Sequence, residues 1–384
     1  MDRQRPHLVF LFSDTGGGHR SAAQAIIGAL EHGYPGQITY EMVDIFRDFA
    51  PPLLDRIPDI YPPLSRRPRL LGQIFHLSDD PRRIRRILKI IWPYIRPSLN
   101  RLIFERPTDL FISVHPLINV PLGHVLEKTG SKTPWVTVVT DLVTAHTTWF
   151  CPQASLIVVP TENAYQVGLK CGISLDRMKV VGLPVAEEFS QRDSIPREIR
   201  ARLGWPLDDP VILLMGGSEG VGQLEAIATA IDEAGLAVTL VIVAGRNKAL
   251  RQHLEGRPWK TPTKVYGFVQ AMPDFMQAAS ILLTKAGPGT ISEAISSGLP
   301  VILYGRLNGS EDGNVRYIVD HGAGIWAPRA DLVVANLIRW LEHPDERAQA
   351  ASSCLALARP QAAREIAALI MTQIQGNCII ATAM

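Results

Sequence analysis

The stretch ILLTKAGPGTISEAISSGLPVILYG, residues 281–305, decides the fold. A short apolar run, Ile281–Leu283, leads into a glycine-rich turn, and a helix-length segment then leads into a second apolar run, Val301–Tyr304. Two short apolar runs on either side of one amphipathic segment predict a strand–helix–strand unit. Units of this kind build a parallel sheet that is covered by helices on both faces.

The same alternation continues on both sides of this stretch. Helix-length segments such as 22–32, 161–170 and 224–234 separate further apolar runs. These runs predict buried strands over Leu8–Phe12, Ile38–Val43, Leu110–Val114, Val136–Val139, Leu156–Val159, Val211–Met215 and Val238–Val243. The series of strands and helices runs twice, and a polar linker is expected near residues 183–208.

We therefore predict an α/β fold with two doubly wound, Rossmann-like domains. The first domain is expected over residues 1–190 and the second over residues 191–358. A C-terminal helix over residues 359–384 is expected to pack back on the first domain. The length of 384 residues, with 46% hydrophobic and 20% charged residues, agrees with two globular domains.

Several motif classes are absent from the sequence. The four cysteines form no CxxC pair, so neither a zinc site nor a disulfide framework is indicated, and a reducing, cytosolic setting is expected. No D-x-D pair and no GxxxxGK[ST] loop occurs, which argues against a dedicated metal site and a P-loop NTPase. No apolar run approaches the ~18 residues that are needed to span a bilayer.

Four glycine-bearing segments follow predicted strands, at residues 13–20, 216–220, 244–248 and 285–290. In open parallel sheets, ligands bind beyond the carboxyl ends of the strands. Glycines let the backbone approach a ligand closely, and a helix N-terminus favours anions. Three such loops lie in the second half, and basic side chains lie near them. Together they are suited to binding a diphosphate. Each loop taken alone also fits a structural turn, and the T-x-x-E spacing of Thr290 and Glu293 also fits a capping box.

Taken together, these segments resemble the monogalactosyldiacylglycerol synthases, a branch of the nucleotide-sugar glycosyltransferases (family 28) that also includes the lipid II N-acetylglucosaminyl enzyme. The similar segments are SDTGGGHRSAAQAI (13–26), VVTDLVTAHTTWF (138–150), VVGLPV (180–185), ILLMGGSEGVG (212–222), AGRNK (244–248), YGFV (266–269), TKAGPGTISEAISSGLPVIL (284–303) and EDGNVRYIVDHGAG (311–324). The resemblance implies the GT-B fold, in which two Rossmann-like domains face each other across an active-site cleft.

The resemblance also implies a reaction. A hexose, expected to be galactose, would pass from a UDP-sugar to 1,2-diacylglycerol with inversion and without a metal or another cofactor. His19 is expected to act as the base, and Asp141 to orient or replace it. Residues expected on the acceptor side are Gly17, Gly18, His115 and Trp149.

The donor would bind in the second half. The resemblance places Gly217, Ser218 and Glu219 near the phosphates and the ribose. It assigns uracil to the backbone at Phe268, the ribose hydroxyls to Glu293, and the hexose to Glu311 and Asn314. The remaining donor residues are Arg246, Lys285, Gly287, Gly289 and Thr290, the last three through N–H groups that face the diphosphate.

Departures from the family pattern leave alternatives open. Ser310 stands where the family pattern GQExGN has glutamine, and Thr147 and Cys151 replace the proline and the second histidine of CHPTWFH. The donor therefore remains open among UDP-galactose, UDP-glucose and UDP-GlcNAc, and the acceptor between diacylglycerol and another lipid or polyprenyl acceptor. A UDP-sugar epimerase, an inactive glycolipid-binding protein and a dehydrogenase with Asp44 as its ribose ligand are the rival functions. The number of sugars added and the oligomeric state are also open.

The basic residues are unevenly distributed. Residues 64–106 hold eleven basic and three acidic side chains, a formal charge of +8 in a chain whose total is +2. Within this stretch, residues 82–92 place isoleucines on one side of a predicted helix that ends at Trp92. The opposite side carries Arg82, Arg85, Arg86 and Lys89, and Arg83 and Ile90 interrupt the boundary between the two sides. Such a helix is typical of a membrane interface, and it fits equally a domain helix with a buried apolar face.

We expect a peripheral protein on the cytoplasmic face of a membrane. Its partners would be a UDP-sugar, diacylglycerol and anionic membrane lipids. No nucleic-acid motif is present, and no nucleic-acid partner is expected.

Overall fold

A computed structural model describes residues 5–15, 17–65, 68–191, 194–220 and 223–382. The chain divides into two compact units. The first unit comprises Met1–Leu64, Arg69–Ala186 and Gln361–Met384, and the second is formed mainly by Glu187–Pro360.

The first unit contains a sheet of six parallel strands. They are β1 (His7–Phe12), β2 (Thr39–Asp44), β3 (Leu110–Ser113), β4 (Trp135–Val138), β5 (Leu156–Val159) and β6 (Met178–Val180). The helices around it are α1 (Gly18–Gly33), α2 (Ile57–Ser65), α3 (Pro68–Ser78), α4 (Pro81–Glu105), α5 (Pro116–Thr129) and α6 (Glu162–Lys170). β3, β4 and β5 are buried along their whole length, because helices cover both faces of the sheet.

The order of the strands in this sheet is β2-β1-β3-β4-β5-β6. The chain connections therefore change direction between β1 and β3, which is the point where ligands bind in open parallel sheets. Leu11 of β1 pairs with Ser113 of β3, so that the loops after these two strands begin side by side. One of these loops leads to His19 and the other contains His115.

The second unit contains another sheet of six parallel strands. They are β7 (Val211–Met215), β8 (Thr239–Val243), β9 (Thr263–Tyr266), β10 (Ile281–Lys285), β11 (Val301–Gly305) and β12 (Gly324–Trp326). Its helices are α7 (Pro196–Leu203), α8 (Leu224–Glu233), α9 (Lys248–Glu255), α10 (Met272–Ala278), α11 (Pro288–Ser297), α12 (Asp312–Asp320), α13 (Ala330–Glu342) and α14 (Pro344–Leu357).

The order of this second sheet is β12-β11-β10-β7-β8-β9. The change of direction falls between β7 and β10, where Met215 pairs with Thr284. The glycine loop after β7 and the glycine loop after β10 therefore start next to each other. These two parallel sheets confirm the predicted α/β, doubly wound fold class.

The last helix, α15 (Ala362–Thr382), belongs to the first unit. Its residues Ile366 and Ile370 are fully buried in one apolar cluster with Ile26 and Leu30 of α1. Burial of an isoleucine side chain contributes about 1.5–3 kcal/mol. The C-terminal segment thus completes the core on that face of the first sheet.

Candidate functional site

Three loops of the first unit meet around His19. Gly17 caps α1 with φ +78°, a conformation that favours glycine, and Gly18 is the first residue of the helix. The Nδ1 atom of His19 lies 3.0 Å from Oγ1 of Thr140. The His19 ring centroid lies 4.6 Å from that of His115 and 6.2 Å from that of Trp149. We call His19, His115, Thr140 and Trp149 the His19 cluster.

The two imidazoles of this cluster are neutral near pH 7. Burial lowers the pKa of His19 from 6.5 to about 4, although a backbone hydrogen bond at Val114 opposes this shift. Burial also holds the pKa of His115 well below its usual value, and the neighbouring His19 lowers it further. His19 is therefore unprotonated at physiological pH, which is the state in which an imidazole accepts a proton.

The tautomer of His115 follows from its hydrogen bonds. Its Nδ1 atom accepts the backbone N–H of Leu117 at 3.3 Å. The proton of the neutral ring is therefore on Nε2, which donates to Oγ1 of Thr15 at 3.3 Å. His115 thus packs beside His19 with both of its ring nitrogens bonded within the protein.

Asp141 is held by the loop that follows it. One of its oxygens, Oδ2, accepts the indole N–H of Trp149 at 2.7 Å and the backbone N–H of His146 at 3.3 Å. Since Trp149 also contacts the ring of His19, one side chain touches both of the predicted catalytic residues. Sequence reasoning did not single out Thr140, although it follows β4 at the carboxyl end of the strand, as Asp141 does.

Asp44 serves the fold of the adjacent loops. Its carboxylate accepts backbone N–H groups from Asp14, Phe46 and Arg47 at 2.9–3.1 Å. A carboxylate that already accepts three N–H groups has little capacity left for ribose hydroxyls. The dehydrogenase interpretation therefore lacks a free carboxylate at Asp44 to bind the ribose.

In the second unit, the loops after β7 and β8 are in direct backbone contact. Gly217 and Gly245 have φ values of +75° and +59°. A β-carbon at Gly245 would overlap with the carbonyl oxygen of Ser218, and the N–H of Arg246 donates to that same oxygen at 2.8 Å. Glycine is therefore required at position 245 on both steric and conformational grounds.

Lys285, the last residue of β10, lies beside both the loop after β7 and the turn after β10. A β-carbon at Gly287 would lie 3.0 Å from Lys285 Nζ, and one at Gly217 would lie 3.4 Å from Lys285 Cε. The ammonium group also pairs with Oε1 of Glu311 at 2.6 Å. Glu311 is 4% exposed, and its other oxygen accepts the N–H of Leu307 at 2.7 Å. We call Lys285, Glu311, Gly217 and Gly287 the Lys285 cluster.

The first turn of α11 adjoins this cluster and is open to an anion. Its N-cap is Gly287, which has no side chain to cap the helix, and Gly289 and Thr290 follow in the first turn without an acidic residue. The N–H groups of a first helical turn have no partners within the helix. Together with the helix dipole, they favour a bound negative group.

The capping-box interpretation of Thr290 and Glu293 is wrong. The helix begins at Pro288, so Thr290 lies inside its first turn and cannot be the cap. Within the ranges that the structure describes, Glu293 has neither a hydrogen bond nor an ion pair. Burial raises the pKa of this partly exposed carboxyl from 4.5 to about 7. Glu293 is therefore available to a ligand.

Arg246 and Phe268 form an exposed platform near these loops. The guanidinium of Arg246 lies 4.9 Å from the centre of the Phe268 ring and pairs with Oε1 of Glu219 at 2.9 Å. The Phe268 side chain is 55% exposed. An exposed ring beside a cation suits a planar, electron-rich group such as a base.

Asn314 lies beneath the turn after β10. This residue is 1% exposed, and its Nδ2 donates to the carbonyl of Ala286 at 2.9 Å. Asn314 therefore holds that turn in place, and its expected contact with the hexose stays a prediction. Glu311 is buried in the same way, and it acts on its surroundings through Lys285.

The basic helix α4 buries an apolar face in the first unit and exposes its basic side chains. Leu88, Ile95 and Leu99 are buried in the core of the first unit, whereas the basic side chains are exposed. The exposed arginines are Arg82, Arg83, Arg85 and Arg86. The Trp92 ring is half-buried and packs edge-on against His124 at 4.3 Å, so it faces the protein. Two further arginines of this stretch, Arg66 and Arg67, lie outside the described residues.

The described ranges lack two kinds of feature. No group of three or more histidine, cysteine, aspartate or glutamate side chains there could hold a metal ion. Nor does any helix in those ranges combine the length and the apolar character that crossing a membrane requires.

Comparison with known proteins identifies similar families and similar structures. Residues 19–185 match the family model described as monogalactosyldiacylglycerol (MGDG) synthase, and residues 211–369 match the glycosyltransferase family 28 C-terminal domain. Monogalactosyldiacylglycerol synthase 1, chloroplastic, of Arabidopsis thaliana is 34% identical over 377 residues, which cover 95% of this chain and 70% of that protein. Synthase 3 of the same plant is 33% identical over 94% of this chain and 79% of its own length.

Solved structures support the same fold. The structure of MurG from Acinetobacter baumannii aligns with 96% of this chain and 99% of the MurG chain, with 16% identity and a TM-score of 0.59. The structure of Anabaena HepE in complex with UDP and glucose aligns with 99% of this chain and 100% of the HepE chain, with 16% identity and a TM-score of 0.53. At such identities, the likeness establishes the fold alone, and it confirms the expected GT-B class.

Proposed function

The chain belongs to the monogalactosyldiacylglycerol synthase family and is a glycosyltransferase, and from this premise we propose that it transfers galactose from UDP-galactose to 1,2-diacylglycerol. We further propose that the transfer inverts the anomeric carbon, requires no metal ion, and takes place at the cytoplasmic face of a membrane. The Lys285 cluster and the first turn of α11 beside it carry the proposal, because together they offer a diphosphate a cation and the N–H groups of a helix N-terminus.

The donor half of the reaction needs positive groups where charge develops. When the bond between the anomeric carbon and the diphosphate breaks, its electron pair goes to the departing UDP. Lys285 and the first turn of α11 offer an ammonium and N–H dipoles to that diphosphate. Preorganised dipoles of this kind stabilise the leaving group without a metal ion.

The rest of the donor has candidate partners in the same unit. The exposed ring of Phe268, with Arg246 above it, suits the uracil. The unpartnered carboxyl of Glu293 suits the ribose hydroxyls, which donate hydrogen bonds to a carboxylate.

The acceptor half needs a base for the glycerol hydroxyl. The hydroxyl oxygen attacks the anomeric carbon from the side opposite the diphosphate, so one C–O bond forms as the other breaks. The proton of the hydroxyl passes to the neutral imidazole of His19. Thr140 and Trp149 hold the His19 ring in place, and Asp141 positions Trp149.

The direct test is a donor panel. The protein is incubated with diacylglycerol vesicles and UDP-galactose, UDP-glucose or UDP-GlcNAc, and the lipid product is analysed by mass spectrometry and NMR. We expect UDP-galactose to give the highest kcat/KM and a β-linked product, which is the inverted configuration. A higher kcat/KM with another donor would reassign the sugar, and an α-linked product would contradict inversion.

Replacement of Glu293 by glutamine is expected to raise the stability of the protein and to weaken donor binding. The folded pKa of about 7 lies above the ordinary 4.5, so the folded state binds more protons between these values and its stability falls as the pH rises through them. Glutamine cannot ionise, and Glu293→Gln should be more stable than the wild type by about 3 kcal/mol at pH 8, and by less than half of that at pH 5.5.

The same variant should bind the donor less well. Loss of a charge-assisted hydrogen bond weakens binding by about tenfold to a hundredfold, and the KM for the donor should no longer rise as the pH falls below 7. Urea unfolding at the two pH values and the donor KM provide the readouts. Glu233→Gln, at an exposed carboxyl on α8, is the matched control. A donor KM equal to that of the wild type would exclude Glu293 from the ribose site.

Charge reversal on α4 tests the membrane face. Arg82, Arg85 and Arg86 are exposed, whereas Arg83 donates to the carbonyl of Leu77 and is left unchanged. Each basic residue near an anionic surface contributes about 1 kcal/mol, so reversal of these three to glutamate should weaken vesicle binding by at least a hundredfold. Sedimentation with vesicles that contain 30% anionic lipid, at two salt concentrations, measures the effect. Reversal of Lys128, Lys132 and Lys170 in the same unit is the control, and equal losses in both variants would contradict a specific docking face.

A further inference from the structure

The first unit contains an apolar cavity of ≈ 290 Å³. Most of its lining comes from α4, α5 and the segment that follows β2. Representative lining residues are Phe46, Phe49, Leu88, Ile95, Ile118 and Val120. An apolar cavity of about 150 Å³ is large enough to bind benzene, so this one has room for an apolar group about twice that size.

One end of the cavity is polar. Ser78, His146 and Thr148 belong to its lining. The two ring nitrogens of His146 lie 3.1 Å from Oγ of Ser78 and 2.7 Å from Oγ1 of Thr148. The loop that bears His146 and Thr148 continues to Trp149, which contacts His19. The polar end is therefore connected directly to the His19 cluster.

The cavity opens at the surface along α4. Ile87 and Ile91 line it and yet are 48% and 37% exposed, so they form part of its mouth. The exposed basic residues Arg85, Arg86 and Lys89 stand on the same turns of this helix. Because these cations lie on the same helix as the mouth, this part of the surface favours an anionic partner. The occupant that fits this arrangement is an apolar chain that enters from a membrane with anionic lipids.

We propose that this cavity binds one acyl chain of the diacylglycerol acceptor, and that the glycerol lies at the polar end near Ser78, His146 and Thr148. This inference rests on the proposed function and adds to it the place where the lipid is held. An acyl chain seated there would hold the glycerol hydroxyl close to the loop of residues 141–149, which contacts His19. The cavity would then position the acceptor for the base.

The test uses acceptors that stay monomeric in water, because a chain leaving a bilayer gains little from entering another apolar site. A series of 1-acyl-2-acetylglycerols with 1-acyl chains of four to eight carbons meets this requirement. In the wild type, the acceptor KM should fall by about fourfold per added methylene group, which corresponds to ~0.8 kcal/mol for each buried CH₂. Calorimetric binding of the same compounds provides a readout that needs no turnover.

Two variants fill the cavity from different walls. Ala50→Phe and Val120→Phe each place a ring among the lining residues and should flatten the dependence of KM and Kd on chain length. Val180→Phe makes the same change at a residue that is 43% exposed outside the lining, and it should keep the wild-type dependence. Thermal unfolding of each variant shows that it is folded.

The outcomes separate the two proposals. If both filled variants keep the wild-type slope, or if the wild type shows no slope, the acyl site is refuted. Binding that shows the slope in the wild type and loses it in the filled variants supports the site even without turnover of any diacylglycerol. In that case, the proposed function fails and the acyl site stands.

Discussion

Replacement of His19 by alanine is expected to lower kcat by about 10²- to 10⁴-fold, which is the usual contribution of a general base. The geometry gives the reason. The imidazole is neutral because burial lowers its pKa to about 4, and the Thr140 hydroxyl at 3.0 Å holds its Nδ1 atom in place. Alanine removes the only proton acceptor that we assign to the acceptor hydroxyl. Steady-state kinetics with diacylglycerol vesicles measure the loss.

The affinity for UDP should remain unchanged in this variant, because His19 belongs to the first unit and the predicted UDP-binding residues to the second. His32→Ala provides the matched control, since His32 is an exposed histidine in the last turn of the same helix. A turnover in His19→Ala within twofold of the wild type would remove His19 as the base and make Asp141 the next candidate.

Replacement of Lys285 by methionine is expected to damage both stability and donor use. Removal of the ammonium leaves the buried carboxylate of Glu311 without its ion-pair partner. A buried pair that loses one partner destabilises a protein by about 3–5 kcal/mol. The loss of a cation that is preorganised at the diphosphate should also lower kcat/KM for the donor by about 10²- to 10³-fold.

The double variant Lys285→Met, Glu311→Gln separates these two effects. It leaves no unpaired charge, so most of the unfolding free energy should return, whereas donor use should remain impaired. Arg339→Met, Glu346→Gln removes an exposed ion pair between α13 and α14 and should change little, because exposed pairs contribute about 0–1 kcal/mol. Recovery of both stability and kcat/KM in the double variant would show that Lys285 only compensates Glu311.

The strand pattern of this chain could be predicted where strands are buried on both faces. All nine apolar runs that predict strands correspond to observed strands. Eight of them are central strands, which are continuously apolar, and the ninth is the edge strand β2. The three strands that the sequence did not reveal, β6, β9 and β12, all lie at sheet edges. Two of the three residues of β6 are exposed, and no residue of β9 is fully buried. Their composition therefore lacks the apolar run that marks a buried strand.

The site residues show the same division between local and tertiary information. The sequence places His19 and the glycine loops at strand ends, which is a local property. The contact of His19 with His115 and Thr140 depends on the order of the strands in the sheet, which no local pattern contains. Likewise, the spacing of Thr290 and Glu293 fits a capping box, but the start of α11 at Pro288 excludes one. The burial of Asn314 beneath Ala286 could not be predicted either, because no sequence pattern indicates it.

The central claim is a metal-independent transfer of galactose from UDP-galactose to diacylglycerol. Its most direct test is the formation of galactosyl-diacylglycerol from these two substrates by the purified protein in excess EDTA. The account predicts product at the same initial rate with and without EDTA, and at least a hundredfold less with His19→Ala. Loss of product on addition of EDTA, with recovery on addition of a divalent cation, would contradict it.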